Sequence, residues 1–442
     1  MSNYRPYPKT KPSGVEWLGD VPVGWEVKPL KVVASFNDDV LPESFGEDQE
    51  IEYVDIGSVS LEAGIERTET FRFGDAPSRA RRRVRNGDVI ASTVRTYLKA
   101  IAPVVAPPAN LIVSTGFAVI RPRNGLDSHF AKFSLQSGYF VDEVISRSTG
   151  VSYPAINASE MAAISLTIPP LPEQHQIASF LDRECGKLDA LQAKQERLIE
   201  LLKEKRQALI SHAVTRGLDP TAKLKPSGIE WLGDVPEHWS VVPLDYHFTI
   251  QLGKMLDSNK ITGKHLRPYL RVFDVQWGKI NTEDLPLMDF DEDAREKFRL
   301  QIGDLLVNEG GSYPGRSAVW IGEIGECYYQ KALHRIRPRR PFKSSTDFLF
   351  YIMCWATGYG VFAAGGNEAT IEHLPAEKLR KYRFPLPPLP EQRAIFAHLD
   401  EKCGKIDQLK ARAERGIELL KERRSALISA AVTGKIDVRN QS

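Results

Sequence analysis

Two stretches of the chain set apolar residues among charged ones at helical spacing. Beyond Pro169, Ile177, Leu181, Leu188, Leu191, Leu198, Leu202 and Leu209 recur in three- and four-residue steps among Glu, Gln, Lys and Arg. Beyond Pro387, Ile395, Leu399, Ile406, Leu409, Leu420 and Leu427 do the same. A narrow apolar stripe with charged flanks predicts a helix whose seam packs on another helix, as in a coiled coil. Pro172 and Pro390 suit the first helical position, where a missing N–H has no helical partner to lose. Glu173 and Glu391 follow in the first turn, where negative charge favours the helix dipole. Gly217 and Gly434 read as stops. About 45 residues, rising about 1.5 Å each, make a rod of roughly 65 Å. Such a rod needs a partner helix to bury its seam.

The pattern between these helices is different. Residues 52–65 and 268–280, 86–92 and 302–308, and 117–123 and 332–339 are short β-branched runs bounded by Gly, Asp or Pro. They read as strands. Residues 130–146 and 346–364 have the spacing and length of helices. Each interior is then an α+β domain of about 145 residues, enough for its own core.

The chain also repeats itself. PSGVEWLGDVPVGW at 12–25 returns as PSGIEWLGDVPEHW at 226–239. PPLPEQHQIASFLDRECGKLDALQ at 169–192 returns as PPLPEQRAIFAHLDEKCGKIDQLK at 387–410, and the likeness runs on to ALISHAVT and ALISAAVT. Repetition this long marks a tandem duplication. Four segments follow: an arm and first interior domain (1–168), a first long helix (169–217), a linker with the second arm and interior domain (218–386), and a second long helix with the tail (387–442). The second interior domain follows the far end of the first helix, so the second helix can pair with the first only by running back. The predicted fold is therefore two similar α+β domains joined by two long antiparallel helices, with a pseudo-two-fold axis and a domain at each end of the rod. Trp17, Leu18 and Trp25 of the arm, with their copies Trp231, Leu232 and Trp239, are expected to clamp each domain onto the helix ends.

Composition adds bounds. The chain has 442 residues, 42% of them hydrophobic, and a formal net charge of only +2. A nucleic-acid partner would have to be met by local patches. Cys185, Cys327, Cys354 and Cys403 form no CxxC pair and no zinc-finger spacing with His, which fits free thiols in a reducing compartment. The segment MSNYRPYPKT has no apolar region of the kind an export signal carries, and no apolar run is long enough to span a bilayer. The expected location is the cytoplasm, away from any membrane.

Catalytic patterns are missing. There is no GxxxxGK[ST] loop, GxGxxG, HExxH or GxSxG. His175, His212 and His398 lie on the long helices and read as solvated. Asp291 and Asp293 read as a surface loop rather than a metal site. No catalytic residue, metal site or cofactor of its own is assigned, and the divergent interiors point to recognition.

Basic clusters carry that reading. Residues 78–85 contribute Arg81 and Arg83. Residues 93–99 contribute Thr93, Arg95, Tyr97 and Lys99. Residues 146–153 contribute Arg147, Ser148, Thr149 and Tyr153. In the second half, residues 260–267 contribute Lys260, Lys264 and Arg267, and residues 311–317 contribute Ser312, Tyr313 and Arg316. Lys331 and His334 join them, with the run RIRPRRPFK (335–343) alongside. Lys and Arg neutralise phosphates, and Arg, hydroxyl and amide side chains read base edges. Any one cluster is equally a solvated face; their presence in both interiors favours nucleic acid.

The arm PSG(V/I)EWLGDVP, the PPLPEQ helix entry and the tail KE(K/R)R.ALIS.AVT, each present twice, resemble the specificity subunit of type I restriction-modification systems. The resemblance spans the whole chain. It implies that the interiors are target recognition domains, each reading one half of an asymmetric, interrupted site in double-stranded DNA. It implies that the helices set the spacer and dock two modification subunits. Those subunits would bind S-adenosylmethionine and methylate adenine. Restriction subunits would use ATP and Mg²⁺ to translocate and cleave DNA. These cofactors belong to the partners. The rival readings are a scaffold that binds only proteins, and a nuclease or methyltransferase acting alone; the missing nucleotide-binding elements weigh against the second.

Overall fold

The computed structural model describes residues 4–256, 262–311, 314–362 and 373–439. It divides into two compact units, Met1–Glu196 with Glu414–Ser442, and Arg197–Ala413. Each long helix, Leu171–Arg216 and Leu389–Val432, therefore contributes one half to each unit.

The first unit is α+β. Its arm is a hairpin of Thr10–Pro12 and Asp20–Pro22. One four-stranded sheet runs in the order Ile101–Pro103, Val89–Ser92, Phe117–Pro122, Ala34–Phe36. A second runs Glu69–Arg72, Glu50–Val54, Leu111–Ser114, Ala80–Arg83, with its central pair parallel. The expected strand at 52–65 is a strand, a 3-10 turn (Ile56–Ser58) and a small hairpin (Val59–Ser60 with Gly64–Ile65). The expected helix at 130–146 is two helices, Ser128–Gln136 and Gly138–Ser146. Ser137 breaks it with an extended backbone, its hydroxyl donating to the Ser134 carbonyl. The break lets the N–H of Gly138 donate to the Ser429 hydroxyl at 3.0 Å, where a Cβ on residue 138 would come within 3.3 Å of that oxygen.

The second unit repeats this plan. Its arm is Leu224–Pro226 with Asp234–Pro236. The larger sheet runs Phe248–Leu252, Leu333–Pro338, Leu305–Asn308, Ser317–Val319. The smaller runs Leu287–Asp289, Leu266–Leu270, Tyr328–Tyr329, again with one parallel pair. A buried helix, Thr346–Gly358, packs under the larger sheet. Asp291 caps the helix Glu292–Phe298, so the Asp291 and Asp293 pair sits at a helix start rather than in a loop.

A feature shared by the units explains the likeness of NGDVIAS to IGDLLVN and of IRPR to IRPR. Asp88 is buried and takes both Nε and Nη2 of Arg121 at 2.8 Å. Asp304 is buried and takes the same two nitrogens of Arg337 at 2.6 and 2.7 Å. Each pair ties two adjacent strands of the larger sheet. The charges of Arg335 and Arg337 are thus spent inside: Arg335 is buried and donates to the Lys297 carbonyl and to Gln251. The run 335–343 is only in part a surface cluster.

Within each unit the helix halves are antiparallel. In the first, Ile177, Leu181 and Cys185 share a core with Leu427, Ile428 and Val432, and Arg424 reaches Asp189 at 3.1 Å. In the second, Ile210 and Val214 share a core with Ile395, Leu399 and Cys403, and Arg206 reaches Asp407 at 3.3 Å. The seam differs from expectation at its middle. Leu191, Leu198 and Leu409 are 47%, 41% and 47% exposed. The buried or half-buried stripe of the first helix is Leu181, Cys185, Leu188, Gln192, Gln195, Ile199, Leu202 and Arg206. Those steps alternate four and three, a strict heptad, and Leu191 and Leu198 fall one position off it. On the second helix Lys410 and Ala413 hold the stripe where Leu409 was expected. Leu209 and Leu420 are half-buried; Ile177, Leu181, Leu188, Leu202, Ile395, Leu399, Ile406 and Leu427 are buried as expected.

Of the arm residues expected to clamp, Leu18, Trp25, Leu232 and Trp239 are buried and Trp231 is half-buried, whereas Trp17 is 40% exposed and stacks on Tyr139. Gly434 ends its helix at φ 72°, and a Cβ there would lie 2.3 Å from Pro22 and 3.2 Å from Trp25. Gly217 does the same at φ 77° beside Trp239. The four thiols are buried, and burial raises Cys185 to about 11 and Cys327 and Cys354 to about 12. Protonated and covered, they are not nucleophiles. Among the described residues no helix is long and apolar enough to cross a membrane.

Candidate nucleic-acid interface

In the first unit the strand Val89–Ser92 runs into a loop that its own side chains hold tight. The Ser92 hydroxyl donates to the Val94 carbonyl at 2.6 Å. The N–H and hydroxyl of Thr93 both donate to the Gly116 carbonyl, at 2.8 and 2.9 Å. One 3-10 turn, Thr96–Leu98, follows, flanked by Arg95 at φ 50° and Lys99 at φ 53°. Both are left-handed, a conformation that costs a side-chain-bearing residue about 1–2 kcal/mol. A second loop offsets this by pinning the turn. Buried Thr96 donates from its hydroxyl to the Ser148 hydroxyl at 2.8 Å, and Ile156 N–H donates to the Thr93 carbonyl at 2.9 Å. Thr149 and Ala155 exchange both backbone hydrogen bonds at 2.9 Å.

Two clusters read separately from the sequence, 93–99 and 146–153, therefore form one rigid surface. Arg95, Tyr97, Lys99, Arg147, Thr149 and Tyr153 are exposed on it. The Arg95 guanidinium lies over the Tyr153 ring, 4.9 Å from its centroid. Arg147 is held by Glu143 at 2.7 Å. Thr93 and Ser148 are half-buried with their hydroxyls committed to the loop, so their part is to shape the surface.

Arg81 and Arg83 sit on the strand Ala80–Arg83, on one face because side chains alternate. Each lies over an aromatic ring, Arg81 at 4.7 Å from Phe73 and Arg83 at 5.6 Å from Phe45. Arg82 points the other way, bound to the Phe117 carbonyl and to Asn37.

In the second unit Lys260, Ser312 and Tyr313 lie outside the described residues. Lys264 is exposed on a loop anchored by Asp289, whose carboxylate accepts from the N–H groups of Thr262, Gly263 and His265 and from the Thr262 hydroxyl. Burial pulls the Asp289 carboxyl upward, but these donors outweigh it and bring it down to about 2. Arg267 is half-buried and paired with Glu326 at 3.2 Å. Arg316 donates from Nη1 to the amide oxygen of Gln276 at 2.6 Å. Lys331 is exposed. His334 is not a surface residue: it is fully buried in the larger sheet, donates to the Leu374 carbonyl at 2.8 Å, and burial lowers its pKa, so it is a neutral core histidine.

Sequence reasoning missed the hairpin beside Arg316. Residues 268–280 fold as a strand, the 3-10 turn Val272–Asp274 and a hairpin of Val275–Gln276 with Lys279–Ile280. Gly278, at φ 66°, makes the turn, and its N–H donates to the Ser317 carbonyl, placing Gln276 next to Arg316. The Gln276 amide nitrogen donates to the Phe273 carbonyl at 2.6 Å, and Arg271 covers the exposed Phe273 ring at 4.0 Å. The signal available was Trp277-Gly278 inside an otherwise strand-like run. Among the described residues no three His, Cys, Asp or Glu side chains gather as they would around a metal ion.

Comparison with known proteins adds a family. The model of the type I restriction modification DNA specificity domain matches residues 22–201 and again 236–418. A Methanocaldococcus jannaschii protein, provisionally assigned as the MjaX type I restriction enzyme specificity subunit, is 24% identical over 445 residues, covering 96% of each chain. The EcoKI specificity subunit of Escherichia coli is 22% identical over 326 residues, covering 72% of this chain and 68% of its own. A solved chain, from work on complex assembly and conformational transition of the type I R-M system, has the same fold. It has a TM-score of 0.75 at 24% identity, over 94% of this chain and 99% of that one.

Proposed function

Because the chain belongs to the type I restriction-modification DNA specificity family, we propose that it is the subunit that chooses the DNA site for such a complex. Each unit's α+β part reads one half of an asymmetric, interrupted site in double-stranded DNA. The long helices set the spacer and dock two modification subunits, which supply S-adenosylmethionine and the adenine methyl transfer. Restriction subunits supply ATP- and Mg²⁺-dependent translocation and cleavage. This chain contributes contacts and spacing, and works in the cytoplasm where the DNA is.

One observation carries this reading. The two units keep the same larger sheet, the same buried Asp–Arg tie and a buried arm tryptophan, yet at the equivalent loop Arg95 is exposed over a tyrosine ring while Arg316 is half-buried against an amide. A shared frame with divergent tips suits an asymmetric target. Leu191, Leu198 and Leu201, exposed along one face of the first helix, offer the apolar contacts that partner docking needs.

The test is a long-read methylome of the source strain with and without this chain. Loss of methyladenine at one interrupted two-part motif is the expected result. Deleting one heptad from each long helix should then change the spacer and leave both half-sites as they were. An unchanged spacer would refute the measuring role of the helices.

A further inference from the structure

We infer that the half-site read by the first unit contains a guanine whose O6 and N7 are taken by Arg95, with Tyr153 as the positioning residue for that arginine. This rests on the reading of the first unit as a half-site reader.

In this unit Arg81, Arg83 and Arg95 lie over aromatic rings, and of these only Arg95 is exposed. Other arginines of the unit are held by carboxylates. Arg85 is held by Asp39 at 2.7 Å, Arg121 by Asp88 at 2.8 Å, and Arg147 by Glu143 at 2.7 Å. Arg95 is exposed and has no side-chain hydrogen bond or ion pair among the described residues. Its one partner is the face of Tyr153. A guanidinium over a ring keeps its five donors, which lie in its own plane, for something else. Arginine pairs bidentately with the O6 and N7 acceptors of guanine in the major groove, and this is the commonest specific contact of that kind.

Three features favour a base edge over a phosphate. The first is rigidity. The turn that carries Arg95 is fixed by Thr93, Thr96 and Ser148, and the left-handed backbone at Arg95 commits the direction of the side chain. Base reading needs that placement, whereas a phosphate accepts a mobile charge. The second is the surroundings. Tyr97, Leu98, Val151 and Tyr153 are exposed beside it, an apolar rim that suits base edges and thymine methyls better than hydrated phosphates. The third is division of labour, since Lys99, exposed at the other end of the same turn, offers the ammonium point charge that suits a phosphate.

The experiment uses the full chain in complex with its methyltransferase partner. Methylation rates are measured on duplexes in which each pair of the target site is varied in turn. For Arg95→Ala, discrimination should fall about 5- to 150-fold at a single G·C pair of one half-site, with the other half-site unchanged. Arg95→Lys should not restore it, because an ammonium cannot make the paired contact. Tyr153→Phe should keep discrimination, and Tyr153→Leu should lower it at that same pair. Replacing that guanine by 7-deazaguanine should weaken the unaltered protein and leave Arg95→Ala without further loss, a coupling that a merely structural role would not produce. This last pair of measurements holds even if Tyr153→Leu misfolds.

Uniform weakening of every sequence by Arg95→Ala, with a shallower salt dependence, would make Arg95 a phosphate contact and overturn the inference. So would relaxation at an A·T pair. Relaxation in neither half-site would likewise overturn the inference, whereas relaxation in both half-sites would instead defeat the assignment of the first unit as a half-site reader.

Discussion

Glu173 and Glu391 occupy the same place in the first turn of the two long helices, yet they do different work. Glu391 accepts from the Trp239 indole at 3.0 Å and pairs with His238 at 2.7 Å. Glu173 accepts from the Tyr7 hydroxyl at 2.6 Å, and Arg439 stands 3.9 Å away. The carboxylate was kept and its partners changed. Deeper in, at Asp88–Arg121 and Asp304–Arg337, nothing changed, even to the pairing of individual nitrogens. Further out, at Arg95 and Arg316, one arginine rests on an aromatic face and the other on an amide. Divergence between the copies grows from the sheet outward. That is the order expected when sheet geometry is common property and the tips answer to different DNA.

The largest effects should come from the shared tie. Removing one partner of a buried ion pair leaves a charge without compensation, about 3–5 kcal/mol of stability. Asp304→Ala should lose that much in scanning calorimetry through the second unit, and Asp88→Ala less through the first, because Arg121 still faces Asp38 at 3.8 Å. Equal losses well under 1 kcal/mol would show that the tie is not what the copies have in common. Next is the seam. Leu202→Ala should cost about 2–5 kcal/mol, while Leu198→Ala, exposed on the same helix, should stay within about 0.5 kcal/mol. A reversed order would restore the stripe first expected from the sequence.

The tips come third. Arg316→Ala should lower discrimination by about 1–3 kcal/mol in the half-site that Arg95→Ala leaves alone, read by methylation of half-site variants. A change in both halves would break the comparison. Smallest is a pH effect confined to the second unit. The folded Asp289 carboxyl titrates near 2, below its ordinary 3.8, so its anchoring of the loop at 262–265 is fully present above pH 3.8 and is lost as pH falls toward 2. Amide exchange of that loop should rise over this window, and Asp289→Asn should remove the dependence. No pH response in the unaltered chain would mean that the loop is held by something else.

What the sequence showed, and what it hid, follows a physical line. The repeat, the helix ends and the α+β class were legible because caps, stops and periodicity are local signals; Gly217 and Gly434 do end their helices. The middle of the seam was not legible. Leucines at 191, 198 and 409 look more like seam residues than Gln192, Gln195 or Lys410, and only the strict heptad decides between them. Of the candidate contacts, Arg95, Tyr97, Lys99 and Tyr153 come together on one exposed surface, legible because Arg, Lys and Tyr cluster there in sequence. His334 was misplaced because nothing local distinguishes a buried strand histidine from an exposed one. Gln276 was missed because its role depends on a hairpin meeting Arg316 from forty residues away.

The arm tryptophans leave one more consequence. The indole N–H of Trp239 is bound to Glu391, whereas that of Trp25 is buried with no partner among the described residues. Two side chains that sit in equivalent places are therefore spectroscopically unequal. Their indole resonances should separate in a nitrogen-correlated spectrum, with the bound one shifted downfield. The chain then carries a distinct internal reporter for each half, and binding to either half-site can be followed without attaching a label.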